Sequence, residues 1–183
     1  MNVIWLLLPY IYPYDRQIPK FQLPMTRSKP SLYLINVAST MLVLPVISIL
    51  LQQDHLHPLL FWPLIGKWFV FWAVGVRIFI AGLRQATKPS FTATEIFHIP
   101  GTESFPIVRE LGFGNISIGL GGILSLVKPE WTEIMAIVGG LYLGIAGIQH
   151  VIKKPDSTNE RIALISDLFI FIILLLYLLF SNN

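Results

Sequence analysis

Five apolar stretches, each about long enough to cross a bilayer, constrain this chain more than any other feature. Spanning takes about 20 predominantly apolar residues. Such runs fall at Leu32–Leu51, Leu59–Leu83, Pro106–Val127, Trp131–Ile152 and Ile162–Phe180. Backbone groups in hydrocarbon must be bonded within their own segment, so each run is expected to be a helix. The expected fold class is all-α: a polytopic transmembrane helical bundle of about five spanning helices over residues 32–183, after an N-terminal interfacial and cytoplasmic segment over 1–31. The second run is long enough to tilt, and Pro45 removes a backbone donor from the first and could kink it.

Composition agrees. Charged residues make up 13% of the chain and hydrophobic ones 54%, whereas a soluble domain carries about 25% charged residues. The bilayer must stand in for water over most of the surface. With 183 residues there is room for one membrane domain. The absence of cysteine excludes disulfides, thiol catalysis and Cys-ligated metal. Met1 to Pro13 is apolar and aromatic, but it lacks a basic flank and a small-residue cleavage site, and Pro9 and Pro13 interrupt it. An interfacial anchor fits that pattern better than a signal peptide. Asp15 to Pro30 is polar and proline-punctuated, as expected of a surface segment.

Positive charge sets the expected orientation. Arg16, Lys20, Arg27 and Lys29 precede the first run, Arg84 and Lys88 follow the second, and Lys153, Lys154 and Arg161 lie between the fourth and fifth. Alternating helices put these nine on one side, against Lys128 on the other. That asymmetry marks the nine-residue side as cytoplasmic, with the N-terminus inside and the C-terminus external. Lys67, alone inside the outer end of a run, can snorkel outward.

Small residues recur at helical spacing. The third run carries Gly112, Asn115, Gly119 and Gly122, with a second stripe at Gly114, Ser117, Gly121 and Ser125; the fourth carries Ala136, Gly140, Gly144 and Gly147. Stripes of this kind let helix backbones approach closely where lipid supplies no hydrophobic drive. The short turn around Lys128-Pro129-Glu130 predicts that these two helices form a tight central hairpin, with Gly140 and Gly144 against the third run.

Seven polar residues within the apolar runs gather at the basic side: Arg77, Arg109, Glu110, Asn115, Gln149, His150 and Asp167. At about 1.5 Å per residue, Arg77 and Asp167 both lie roughly 10 Å inside their helix ends. Buried charges in a membrane pair with one another or line wet cavities. Opposite charge at matched depth predicts an Arg77–Asp167 ion pair, with Arg109 and Glu110 close enough to join it. Bland readings stand beside this one. Arg109 and Glu110 can reach the headgroups, His150 can be a solvated cap, and Gln149 can bond neighbouring backbone. Thr92 and Glu95 have the spacing of a capping box for a short interfacial helix in the loop after the second run.

No phosphate loop, HExxH or nucleophile elbow is present. No cofactor or metal is assigned; Asp54, His55 and His57 read as a solvated turn rather than a ligand set.

The run Arg109-Glu110-Leu111-Gly112-Phe113-Gly114-Asn115 with Gly119, and Gly144-Ile145-Ala146-Gly147-Ile148-Gln149-His150, resembles an uncharacterised prokaryotic family of small polytopic membrane proteins. Trp72-Ala73-Val74-Gly75-Val76-Arg77 and Phe91-Thr92-Ala93 are similar to it too, so the likeness covers Phe61 to Phe180. Length and glycine usage also resemble DoxX-like four-helix proteins. The resemblance implies a bacterial or archaeal plasma membrane protein and transfers no activity. Three functions remain open: a cytoplasm-facing pocket for a small molecule, lipid headgroup or proton; an accessory subunit docking on a membrane-protein partner or a second copy; and an enzyme on a lipid or isoprenoid-like substrate, with Glu110, His150 or Asp167 in acid–base roles. The bilayer is the expected partner throughout, and nucleic acid is not.

Overall fold

The computed structural model describes residues 32–53, 61–97, 99 and 101–181. The N-terminal segment before them, and the loop carrying Asp54, His55 and His57, lie outside the described residues. Among the described residues five helices are long and apolar enough to cross a membrane: α1 (Tyr33–Gln53), α2 (Phe61–Thr87), α3 (Phe105–Leu124), α4 (Trp131–Lys153) and α5 (Thr158–Phe180). No strand occurs among the described residues. The chain is thus an all-α polytopic bundle, and every helix falls within a few residues of its apolar run. The helices alternate in direction, so α1, α3 and α5 begin where α2 and α4 finish. This is the basic end of the bundle.

Local chemistry explains the irregularities. Over Ser39–Val43, α1 widens to a π-turn, with the Leu44 N–H donating to the Ser39 carbonyl. Pro45 follows at once, so its missing donor is met by widening of the turn. A second π-turn, Val70–Val76, ends with the Arg77 N–H donating to the Trp72 carbonyl. Single π-turns inside α-helices recur at functional sites. At the start of α5, Ser157 accepts from the Glu160 N–H, while the Glu160 carboxylate accepts from the Ser157 N–H. This reciprocal box ties off two orphan donors. The expected box at Thr92–Glu95 does not form. Thr92 lies inside a helical turn, Thr92–Ile96, that Ser90 and Phe91 begin.

The glycine stripes choose partners other than those expected. A Cβ on Gly82 would come within 2.7 Å of the Gly112 carbonyl oxygen, and one on Gly122 within 2.6 Å of the Gly75 nitrogen. Gly119 is equally close against the backbone of Phe79. The stripe of α3 therefore packs on α2, which supplies matching gaps at Gly75 and Gly82. Gly144 faces the Phe171 ring, at 2.7 Å from a Cβ, and Gly140 and Gly147 face Leu174 and Leu168. So Gly140 and Gly144 pack on α5, and not on α3 as their position across a short turn predicts. A small-residue stripe permits close approach without naming the partner. Contact between α3 and α4 remains near their turn, where Met135 meets Gly121.

The two close pairs, α2 with α3 and α4 with α5, join through an apolar core. Phe69, Val70, Val74, Leu143, Ile170 and Leu174 are buried in it, and Val37 and Met41 of α1 close one side. Away from the basic end, the Lys67 Nζ and the Trp68 Nε1 both donate to Gln52 Oε1, at 3.1 and 2.9 Å, and pin α2 to the end of α1. Outward-facing residues such as Leu51, Ile107, Ile145 and Ile165 are apolar, as a lipid-facing surface requires.

Candidate functional site

The site begins with Arg77 and Asp167. Arg77 leaves α2 just after its π-turn, and Asp167 faces it from the third turn of α5. An Arg77 Nη2 N–H donates to Asp167 Oδ1 at 2.7 Å, with the side chains 12% and 7% exposed. A guanidinium against a carboxylate makes a strong, charge-assisted bond, and few other arrangements let both charges stay at this depth. The Tyr33 hydroxyl of α1 lies close enough to Arg77 to interact with it.

Beside this pair the helices enclose a cavity of about 270 Å³, near the lower end for small-molecule sites. All five helices and the loop after α2 contribute to its wall. Asn115 of α3 is 4% exposed, and its Nδ2 donates to Gln85 Oε1 of α2 at 2.7 Å. Its Oδ1 forms no good hydrogen bond, although the Tyr142 hydroxyl of α4 is near enough to interact. Apolar wall comes from Ile80, Ala81, Leu111 and Ala146.

Nearer the helix ends the wall changes character. Arg84 lies seven residues after Arg77 on α2, and its guanidinium stacks on the Phe91 ring at 3.6 Å from the centroid. Phe91, Thr92, Ile96 and Phe97 make this part of the wall from the short helical turn and its end. Lys153 holds that turn in place: its Nζ donates to the Ile96 and Phe97 carbonyls at 3.4 and 3.5 Å, and to Glu160 Oε1 at 3.0 Å. Glu160 is buried, and it also accepts from the Asp156 N–H at 2.9 Å. One carboxylate thus joins the α5 cap, the end of α4 and the turn over the cavity.

Of the seven residues singled out by sequence, Arg77, Asn115, Gln149, His150 and Asp167 line the cavity. Arg109 and Glu110 do not. Both are exposed, and no ion pair links them to Arg77 or Asp167 among the described residues. Helix phase is the reason. Val108, Gly112 and Asn115 form the inward stripe of α3, and Arg109 and Glu110 lie outside it. Tyr33, Asn36, Arg84, Gln85 and Tyr142 line the cavity and were missed. Arg84 had a legible signal, an arginine two turns from Arg77 on one helix face, but it reads first as a topology marker. Among the described residues, no cluster of three or more His, Asp or Glu could hold a metal.

The chain belongs to the DUF6790 family, a family of unknown function, whose pattern matches residues 32–183. The match takes in α1, which the likeness read over Phe61–Phe180 left out. No curated protein and no solved structure matches the chain.

Proposed function

We propose that this protein binds a small molecule, a lipid headgroup among the candidates, in an intramembrane pocket whose deep wall is the Arg77–Asp167 pair. The pocket opens on the cytoplasmic side of a prokaryotic plasma membrane, with the C-terminus external. The observation that carries this reading is the cavity beside the pair. A pair that served only fold specificity would be sealed by packing on every side, since space beside buried charges forfeits contacts and gains nothing. Here a mixed wall of apolar side chains and a few convergent polar groups borders it, as in binding sites generally. The basic asymmetry of the loops supports the orientation.

The test is native mass spectrometry of the full chain, extracted in a mild non-ionic detergent, beside a pocket-filling variant, Ala146→Phe. A co-purifying mass lost in the variant is the expected result. Identical spectra for both, with folding intact by circular dichroism, would overturn the reading.

A docking role is the second reading, favoured by one observation. Gly114 faces open space, with nothing within 4 Å of a Cβ built there, and lies on the same exposed face of α3 as Glu110 and Ser117. Crosslinking through Gly114→Cys, to a second copy or to another membrane protein, tests it.

A further inference from the structure

We infer that the ligand of this pocket is an anionic amphiphile whose acidic group seats on Arg84. This inference rests on the pocket reading above and names the ligand's class.

Charge along the cavity points that way. Two arginines of α2 line it, Arg77 deep and Arg84 near the helix end, and seven residues separate them by roughly 10 Å along the axis. Among the described residues Asp167 is the only carboxylate in the wall, and Arg77 already holds it at 2.7 Å. Arg84 has no carboxylate within pairing distance among the described residues. Among the described residues no acid offsets its charge, and the wall carries two arginines against one carboxylate. A cationic ligand would meet that charge with no free acid among the described residues to offset it.

Geometry fits an acid group. The Arg84 guanidinium carbon lies over the Phe91 ring, 3.6 Å from its centroid, so the ring covers one side of the group. No hydrogen bond takes up its N–H groups among the described residues, and the in-plane edge of a guanidinium binds carboxylate or phosphate with two parallel hydrogen bonds. Lysine could not do this, because its charge is a point on a flexible stem. Between the two arginines the wall is mixed: Ile80 and Ala81 on α2 and Ala146 on α4 are apolar, and Asn115 of α3, level with Gly82, is the polar side chain among them. Ile80 is exposed as well as lining the cavity, so the apolar stretch is not sealed at that point. An acid group at the water–lipid boundary, followed by a short apolar body, matches this order of surfaces. Basic pockets between spanning helices hold anionic headgroups on the same principle.

The test uses the full chain in phosphatidylcholine nanodiscs, with octyl phosphate, octylammonium, octanol and inorganic phosphate as probes. The readout is the thermal midpoint followed by intrinsic tryptophan fluorescence. Octyl phosphate should raise the midpoint saturably, and octylammonium and octanol should not. Arg84→Gln should weaken the octyl phosphate response at least tenfold, and Arg84→Lys should restore it only in part. Arg84 is exposed, so neither variant threatens the fold. An equal response to octylammonium, or an unchanged one in Arg84→Gln, would overturn the anionic class while leaving the pocket standing. Inorganic phosphate matching octyl phosphate would overturn the amphiphile and leave a site for a free anion. Responses to all alkyl probes that survive unchanged in Ala146→Phe would mean that they act outside the cavity, and the pocket reading would fall with the class.

Discussion

Arg77→Ala should destabilise this protein more than the double change Arg77→Ala with Asp167→Ala. The two groups meet at 2.7 Å with only 7% of the Asp167 side chain exposed. Charges about 4 Å apart at an effective dielectric near 20 attract by about 4 kcal/mol. Losing one partner of a buried pair costs about 3–5 kcal/mol, chiefly because a charge is left behind without solvent or counter-ion. The neighbouring cavity leaves room for water to solvate the stranded charge, so each single alanine variant should cost somewhat less than that range, about 2.5 kcal/mol. The double variant strands nothing. It loses packing and one hydrogen bond, about 2 kcal/mol together. The coupling energy is then about 3 kcal/mol, at the top of the range for residues in contact. Reversible unfolding in mixed micelles, followed by tryptophan fluorescence and helical circular dichroism, measures all three variants. A double variant whose loss equals the sum of the singles, with coupling below about 0.5 kcal/mol, would refute the stranded-charge reasoning.

The glycine contacts separate two variants of equal bulk. Gly144→Leu should cost about 3 kcal/mol by overpacking against Phe171, whereas Gly114→Leu, with nothing nearby, should leave the thermal midpoint unchanged or slightly raised; comparable losses would put the α4 stripe against lipid. Ser157→Ala should lower stability by about 1 kcal/mol through loss of the α5 cap, and Ser157→Thr should keep most of it; equal melts for the two would show that the cap contributes nothing. The chain has no native cysteine, so Lys154→Cys should react with a membrane-impermeant maleimide only in broken cells and Ser181→Cys in intact ones; the reverse pattern would invert the topology.

Hydropathy made the five helices legible because a spanning segment must satisfy its own backbone, and that demand is written locally. The Arg77–Asp167 pair was legible for a related reason. Two opposite charges at equal depth in apolar runs have little to do but meet. Pairing of the helices was less legible. The α3 stripe reads as a contact face, but α4 and α2 both carry glycines that could receive it. The choice falls on α2 in antiparallel register, with Gly75 against Gly122, Phe79 against Gly119 and Gly82 against the turn from Gly112 to Ile116. Arg109 and Glu110 show the limit of depth alone. They lie at the right level but outside the inward stripe of their helix, and at a helix end either direction satisfies a charged side chain. The α5 cap had its full signal in Ser157-x-x-Glu160, more complete than the one at Thr92.

The helix pairing also explains why a cavity exists where it does. Backbone-to-backbone packing draws α3 onto α2, and small-against-large packing draws α4 onto α5. Toward the far end the pairs interlock, with Val74 pressed into the gap at Gly139 and Leu143 and Ile170 fully buried nearby. Toward the basic end the inward positions change from small and apolar to Arg77, Asn115, Tyr142 and Asp167. Arg77 and Asp167 meet tip to tip through a hydrogen bond, and long polar side chains of this kind span more distance between helices than glycine contacts do. Space follows from that substitution in the stripe. The same residues that keep the pairs apart furnish its polar wall, which makes opening and chemistry one feature of the sequence. Replacing the four by small apolar residues should therefore close the cavity as well as strip it of charge, and the loss of binding would come with a tighter bundle rather than a looser one.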